Sequence, residues 1–295
     1  MNRRVFLLGL LAAGCTSGGP SDELLIASGE RGGMYYDFAA LLAAQLEPGL
    51  RGRAVETQGS LENLERLRSG SVRVALSLAD AAHVADPALE LRALGRVYEN
   101  YLQLVVRADD PARRVADLAG RVVSLGAAGS GASLSGERML AAAGLGGSVR
   151  VTHLRLAEAA RALADRRVDA LLWSGGVPTP VLEGLPGIRL LPLADLLAGL
   201  RVAHGSVYEQ VSVPVGVYGS TREVATIGVA NLLVCRAELP DEPAASIART
   251  LVSRAAALVP DQALGTQFLD VRSLIGTARL PLHPGAAAVY RDLHG

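Results

Sequence analysis

Three turns in this sequence carry residue types suited to holding a small anion: Gly32-Gly33-Met34-Tyr35, Gly59-Ser60 and Gly129-Ser130-Gly131. Each follows a stretch of strand character and opens a helical one. Glycine there lets the backbone approach a ligand closely, and the N–H groups that start the following helix point at negative charge. Taken singly, each turn also reads as an ordinary strand-to-helix connection that needs glycine for its geometry. Aromatic residues make up only 4% of the chain, so their placement carries weight. Tyr35, Tyr36, Tyr98, Tyr101, Trp173 and Tyr218 fall near predicted strand ends or lobe crossings, where a ring can stack on a ligand and donate a hydrogen bond. A half-buried core aromatic fits each of them equally well, except Tyr35, where the adjoining Gly-Gly favours binding.

Other chemistries lack their residues. The run Gly126-Ala127-Ala128-Gly129-Ser130-Gly131 does not have dinucleotide-fingerprint spacing, and the chain has no lysine, which excludes a P-loop. His83, His153, His204, His283 and His294 are scattered without metal-ligand spacing and read as surface or turn residues, so neither metal nor cofactor is expected. Neither Gly129-Ser130-Gly131 nor Gly205-Ser206 forms the elbow of a serine hydrolase, and nothing pairs His283 with a serine. Asp109-Asp110 stands beside Pro111 in a predicted surface turn. No catalytic residue is assigned, and the missing nucleophile–base pair favours binding over catalysis.

The elements that must position the turns alternate along the chain. Leu24–Ser28, Ala54–Thr57, Val72–Leu76 and Leu91–Val97 read as strands, with helical spacing over Tyr36–Leu46 and Leu61–Ser69. Leu102–Val106 is another strand, and a second set follows Asp109-Asp110-Pro111. It comprises strands at Arg121–Leu125, Val149–His153, Ala170–Trp173 and Ile188–Leu191, with helices at Ser133–Ala143 and Ala157–Asp165. Ala225–Cys235 is strand-like, Pro240–Leu258 is helical, and the remainder looks helical around Pro281–Gly285. Two α/β sets with a late return towards the first predict an α/β fold of two lobes joined by crossing strands, with a ligand cleft between them.

Composition agrees with a folded binder of small molecules. The chain has 295 residues, 50% of them apolar, and its 29 Arg balance 29 Asp and Glu. Zero net charge excludes the basic excess of a nucleic-acid binder. No apolar run approaches the ~20 residues that span a bilayer. The opening Asn2-Arg3-Arg4, the apolar Val5–Ala13 and Gly14-Cys15 read as a secretory signal, followed by a polar tether over Thr16–Asp22. The ending Leu11-Ala12-Ala13-Gly14-Cys15 resembles a bacterial lipobox, which implies an acylated Cys15, and Arg3-Arg4-Val5-Phe6-Leu7 resembles a twin-arginine export pattern. Cys235 then has no partner for a disulfide and reads as a small core residue.

In order, the motifs resemble the TAXI family of solute receptors of TRAP transporters. The matching pieces are Gly32-Gly33-Met34-Tyr35-Tyr36, Thr57-Gln58-Gly59-Ser60-Leu61-Glu62-Asn63-Leu64 and Asp117-Leu118-Ala119-Gly120-Arg121-Val122-Val123-Ser124-Leu125-Gly126. Further along come Gly129-Ser130-Gly131, Gly176-Val177-Pro178, Val213-Pro214-Val215-Gly216-Val217-Tyr218 and Leu282-His283-Pro284-Gly285-Ala286. The resemblance implies a periplasmic-binding-protein fold (type II) whose lobes close around a small solute, an acidic amino acid or dicarboxylate such as glutamate or 2-oxoglutarate. It implies TRAP membrane subunits as partners and an extracytoplasmic site, with the chain held by lipid through Cys15. By position, Gly33, Met34, Tyr35 and Ser60 would hold the ligand from the first lobe. Ser130, Gly131, Trp173, Gly175 and Val177 would approach from the second, with Tyr218 near the hinge. The expected organisation is a signal peptide over 1–14, a tether over 15–22, a first lobe from 23–104 with 226–295, and a second lobe from 105–225. Glu30-Arg31 and Asp37 depart from the family pattern, and Arg31 could touch the cleft or face solvent. Arg31, Arg73, Arg96 and Arg107 all remain open as partners of a ligand carboxylate. A sensor for a membrane histidine kinase and a secreted cleft enzyme are the rival readings.

Overall fold

The computed structural model describes residues 23–260 and 269–294. The predicted signal peptide, Cys15 and the tether lie outside them.

The chain runs through β1 (Leu24–Ala27), α1 (Met34–Gln45), β2 (Gly52–Val55), α2 (Ser60–Arg68), β3 (Val74–Leu78) and the short α3 (Ala79–Ala82). The long β4 (Leu91–Arg107) leads to β5 (Val122–Ser124), α4 (Gly131–Ala142), β6 (Arg150–Thr152), α5 (Leu156–Ala164) and β7 (Ala170–Gly175). Then come α6 (Pro180–Glu183), β8 (Ile188–Leu191), α7 (Leu197–His204), β9 (Tyr208–Val213) and a second long strand, β10 (Val224–Arg236). Helices α8 (Asp241–Ser253), α9 (Val271–Leu274) and α10 (Pro284–His294) close the described chain.

All ten strands of the described residues belong to one curled sheet in the order β2-β1-β3-β10-β4-β7-β5-β6, with β9 also on β10 and β8 also on β4. The first half of the sheet pairs β1 with β2 and β3 in parallel; the second pairs β5 with β6 and β7 in parallel. The antiparallel pair β4–β10 joins them. Residues 231–235 of β10 pair with β3 and residues 224–229 pair with β9, so one strand serves both halves. Two register shifts, between Asn231 and Leu232 and between Leu233 and Val234, interrupt the β4–β10 ladder where it passes from one half to the other.

Helices form where apolar residues recur at helical spacing. Leu156, Ala159, Ala160 and Leu163 give α5 one buried face, and Ala244, Ile247, Ala248 and Leu251 do the same for α8. Beneath α1, α8 and α10 lies a core containing Phe38, Leu94, Tyr98, Leu251 and Tyr290. Strand β3 is buried at all five positions because helices or sheet cover both its faces, which explains its uninterrupted apolar character. Cys235 lies in this first core, and burial pushes its thiol up to about 12.

The structure departs from sequence expectation in a few places. Leu91–Val97 and Leu102–Val106 are parts of one 17-residue strand, because β10 pairs across the polar stretch between them. Strand β9 and helix α7 were not anticipated, and the last helix runs to His294, well past Gly285. Asp110 is buried rather than at the surface, its carboxylate held by Arg121 at 2.9 Å. His283 is likewise buried, its Nε2 2.7 Å from the Leu239 carbonyl. Among the described residues no helix is long and apolar enough to cross a membrane.

Candidate ligand-binding site

The three glycine turns converge. A cleft with about 490 Å³ of non-protein space lies between the two halves of the sheet, where α1, α2 and α4 begin. Gly33, Met34, Tyr35 and Ser60 line it from the first half, and Ser130, Gly131, Trp173 and Gly175 from the second. Val177 and Tyr218 lie outside it. Val177 is buried in the core against α5 and α6, and Tyr218 acts behind the cleft wall. Its hydroxyl accepts from the Thr179 N–H at 2.7 Å and donates to Gln103 Oε1 at 2.6 Å. The Gln103 amide in turn holds the Gly176 carbonyl at 3.0 Å, beside cleft-lining Gly175.

Local rules place each of these groups. Helix α1 starts after an extended Gly33 with no side-chain cap, so its first N–H groups stay open towards the cleft. Gly59 precedes α2 at φ 118°, a conformation that disfavours any other residue, and its Cα faces the Ser130 backbone. Gly131 opens α4 so close to the first half that a Cβ there would sit 2.6 Å from both Leu78 Cδ1 and Ser60 Oγ. Ser130 Oγ accepts from the Ser133 N–H at 3.1 Å, which caps α4 and leaves the hydroxyl proton free to donate.

The floor is neutral and hydrogen-bonded. Ser60 Oγ accepts from the Leu78 N–H at 3.0 Å and lies 3.3 Å from the Tyr35 hydroxyl. Burial pushes that phenol well above its ordinary range, so it stays protonated; the nearby Asp80 charge adds to the shift. Asn231 donates to Asn100 Oδ1 at 3.3 Å, and Asn100 donates to Ser174 Oγ at 3.3 Å. Trp173 Nε1 is buried with no hydrogen-bond partner among the described residues, which leaves a donor available at the cleft wall. The amide chain escaped sequence reasoning. Its one signal was Asn231, a polar residue inside an otherwise apolar strand.

Charge stands at the rim. Among the described residues no Arg or His lines the cleft, and Glu30 is the only acid that does. Burial raises the Glu30 carboxyl above its usual range, opposed by Arg155 at 3.6 Å. Arg155 also pairs with Glu56 at 2.6 Å, and Glu56 with Arg31 at 3.1 Å. Arg31 faces solvent and packs over the Tyr36 ring; Arg73 lines a separate groove near Arg236. Arg96 pairs with Glu99, and Arg107 with Asp109, Asp110 and Asp169, so all four arginines lie away from the cleft lining.

The two halves are in contact across the cleft. The Leu61 and Glu62 N–H groups of α2 both donate to the Gly129 carbonyl at 3.1 Å. Behind Leu78, the buried Asp80 carboxylate accepts from Ser135 at 2.7 Å and Tyr208 at 2.8 Å, with Arg138 at 3.6 Å. The halves are thus bonded at the rim, at α2 and behind the floor.

The model of the NMT1-like family matches residues 26–293. The chain belongs to the NMT1-like family. Solved structures agree on the fold of this NMT1-like chain. XAC2383 from Xanthomonas citri, bound to ATP, is 14% identical with a TM-score of 0.54, covering 92% of this chain and 96% of that one. The arginine-binding protein ArgBP from T. maritima, as its P235GK mutant, is 13% identical with a TM-score of 0.52, covering 80% and 92%. A substrate-binding protein of an amino acid ABC transporter is 12% identical with a TM-score of 0.50, covering 80% and 95%. The NMT1-like chain has the mixed α/β fold of periplasmic solute-binding proteins.

Proposed function

We propose that this NMT1-like chain is the extracytoplasmic receptor of a TRAP-type transporter, of the TAXI kind, and captures a small organic anion or amino acid by closure of two lobes. Residues 23–104 with 226–295 make the first lobe and 105–225 the second, with β4 and β10 as the crossing strands. Cys15 carries the lipid that holds the chain at the membrane, and the TRAP membrane subunits receive the closed receptor.

The observation that supports this reading is the convergence of three helix N-termini from both halves on one cleft whose floor is neutral. A ligand carboxylate is held there by the open N–H groups of α1 and α4 and by the hydroxyls of Tyr35, Ser60 and Ser130, without an arginine. Trp173 closes over it from the second lobe. A ligand bridging the lobes binds the closed form more tightly than the open one, and that difference in affinity drives closure.

The test is a thermal-shift screen of the chain from residue 23 onwards against acidic amino acids, dicarboxylates, keto acids, neutral amino acids and sugars. A true ligand at a thousandfold its Kd raises stability by about 4 kcal/mol, a shift of several degrees. A hit among glutamate-like acids supports the reading. Binding of sugars alone removes the carboxylate assignment, and silence across the whole panel removes the ligand class.

A further inference from the structure

A second groove, sharing no lining residue with the cleft, holds about 1370 Å³ of solvent-open space between β8 and residues 217–225. Its charge is unusual. Arg113 donates from Nη1 to the Asp110 and Ala112 carbonyls at 2.8 and 3.2 Å. Arg189 donates from Nη2 to the same two carbonyls, at 2.7 Å for Asp110. Two guanidiniums are thereby gathered on one pair of oxygens, and each keeps further N–H donors unused. Arg222 joins them in the groove wall.

Among the described residues, none of these three arginines forms an ion pair with a carboxylate. Asp110, the acid nearest Arg113 in sequence, is committed to Arg121 at 2.9 Å and Arg107 at 3.6 Å. Among the described residues Glu223 is the only acid lining the groove. Three guanidiniums against one carboxylate leave two positive charges uncompensated. Burial, and then the Arg113 charge, pull the Arg189 guanidinium below the ordinary arginine range, with Asp110 opposing and Arg222 adding. The Thr221 hydroxyl is a further donor in the wall, and Ile188, Leu190 and Pro192 supply an apolar floor.

We propose that this groove is an anion-binding site that takes the doubly charged phosphate group of a small phosphorylated molecule or lipid headgroup. Guanidinium forks match the tetrahedral oxyanion in a way that a point charge does not, and the charge of the dianion equals the uncompensated excess. The site is independent of the receptor reading, since it shares no residue with the cleft.

The probe is inorganic phosphate, followed by 31P line broadening at constant ionic strength set with sodium chloride. Saturable broadening is expected in the unaltered protein, weakened about tenfold in Arg113→Gln with Arg222→Gln. Arg222→Gln alone also weakens it; among the described residues that exposed side chain makes no hydrogen bond or ion pair, so misfolding does not obscure the result. The cleft variant Ser130→Ala retains full phosphate binding. Absence of saturation, equal binding in the arginine variants, or loss of binding in Ser130→Ala each overturns the site. Co-sedimentation with vesicles containing phosphatidic acid separates the two sources. Pelleting that requires Arg113 and Arg222 assigns a headgroup, and phosphate binding without pelleting assigns a soluble molecule.

Discussion

The floor and the rim of the cleft are made of opposite materials. At the floor, Ser60, Asn100 and Asn231 are 0–1% exposed, uncharged and linked to backbone or to one another. At the rim, the side chains of Arg31, Glu56 and Arg155 are 68%, 36% and 45% exposed and form a chain of ion pairs. Both regions join the two halves, but their energetics differ. Water and salt screen the rim pairs, so each is worth little, whereas a floor group that loses its partner is stranded away from water. Under the proposed receptor function, the comparison predicts that ligand affinity resides in the neutral floor, while the ions at the mouth adjust the ease of closure.

The harshest way to break that comparison is to fill the gap between the halves at the floor. Gly131→Val places a side chain against Leu78 and Ser60 where even a Cβ is too close. Titration calorimetry should show ligand binding weakened by a hundredfold or more, about 3 kcal/mol, while the chain stays folded. Undiminished binding would mean that the floor does not close on the ligand.

The joining strands test whether burial or charge governs the energy. Glu99 on β4 is buried beside Arg96, with Glu209 also facing Arg96, and burial pushes its carboxyl up to about 7. Its folded value lies above the unfolded one, so between pH about 4.5 and 7 the native state holds more protons than the unfolded chain. Stability from this group is therefore present below pH 4.5 and lost as pH rises through 7, by up to about 3 kcal/mol. Urea unfolding at several pH values should show that fall, and Glu99→Gln should flatten it. A slope of the opposite sign would mean that the Arg96 pair outweighs desolvation.

Two milder substitutions set floor against rim directly. Ser60→Ala removes the acceptor of the buried Leu78 N–H and the neighbour of the Tyr35 hydroxyl. It should cost about 1–3 kcal/mol of stability in chemical denaturation and weaken the ligand about tenfold. Arg155→Gln breaks the rim chain and should change the ligand Kd by about threefold or less, an effect that disappears in high salt. If Arg155→Gln proves the more damaging of the two, the assignment of affinity to the floor is reversed.

The legible parts of the site were the local ones. Gly32-Gly33, Gly59-Ser60 and Gly129-Ser130-Gly131 announce strand-to-helix turns because the signals act within a few residues: a glycine that permits positive φ or close approach, a serine that caps, and an apolar period that starts. Of the ten residues that the family resemblance placed around a ligand, eight line one cleft, six of them in or beside these turns. Val177 and Tyr218 do not, since residues flanking a motif can turn either towards a cleft or into the core behind it, and sequence spacing does not distinguish the two. Strand β9 went unread because Tyr208–Val213 alternates weakly and gains its place only by pairing with β10.

By itself the sequence determined the alternation of strands and helices, the three glycine turns, the absence of lysine chemistry and the α/β character, because each follows from short-range sterics and periodicity. Tertiary structure alone decided that β4 and β10 each run unbroken through both halves, that Asn100, Ser174 and Asn231 meet at the floor, and that Arg31, Arg73, Arg96 and Arg107 stand outside the cleft. It also decided that Arg113 and Arg189, 76 positions apart, share two carbonyls. Those contacts join residues distant in the chain, so they depend on strand order and register, which emerge only when the whole sheet buries its faces.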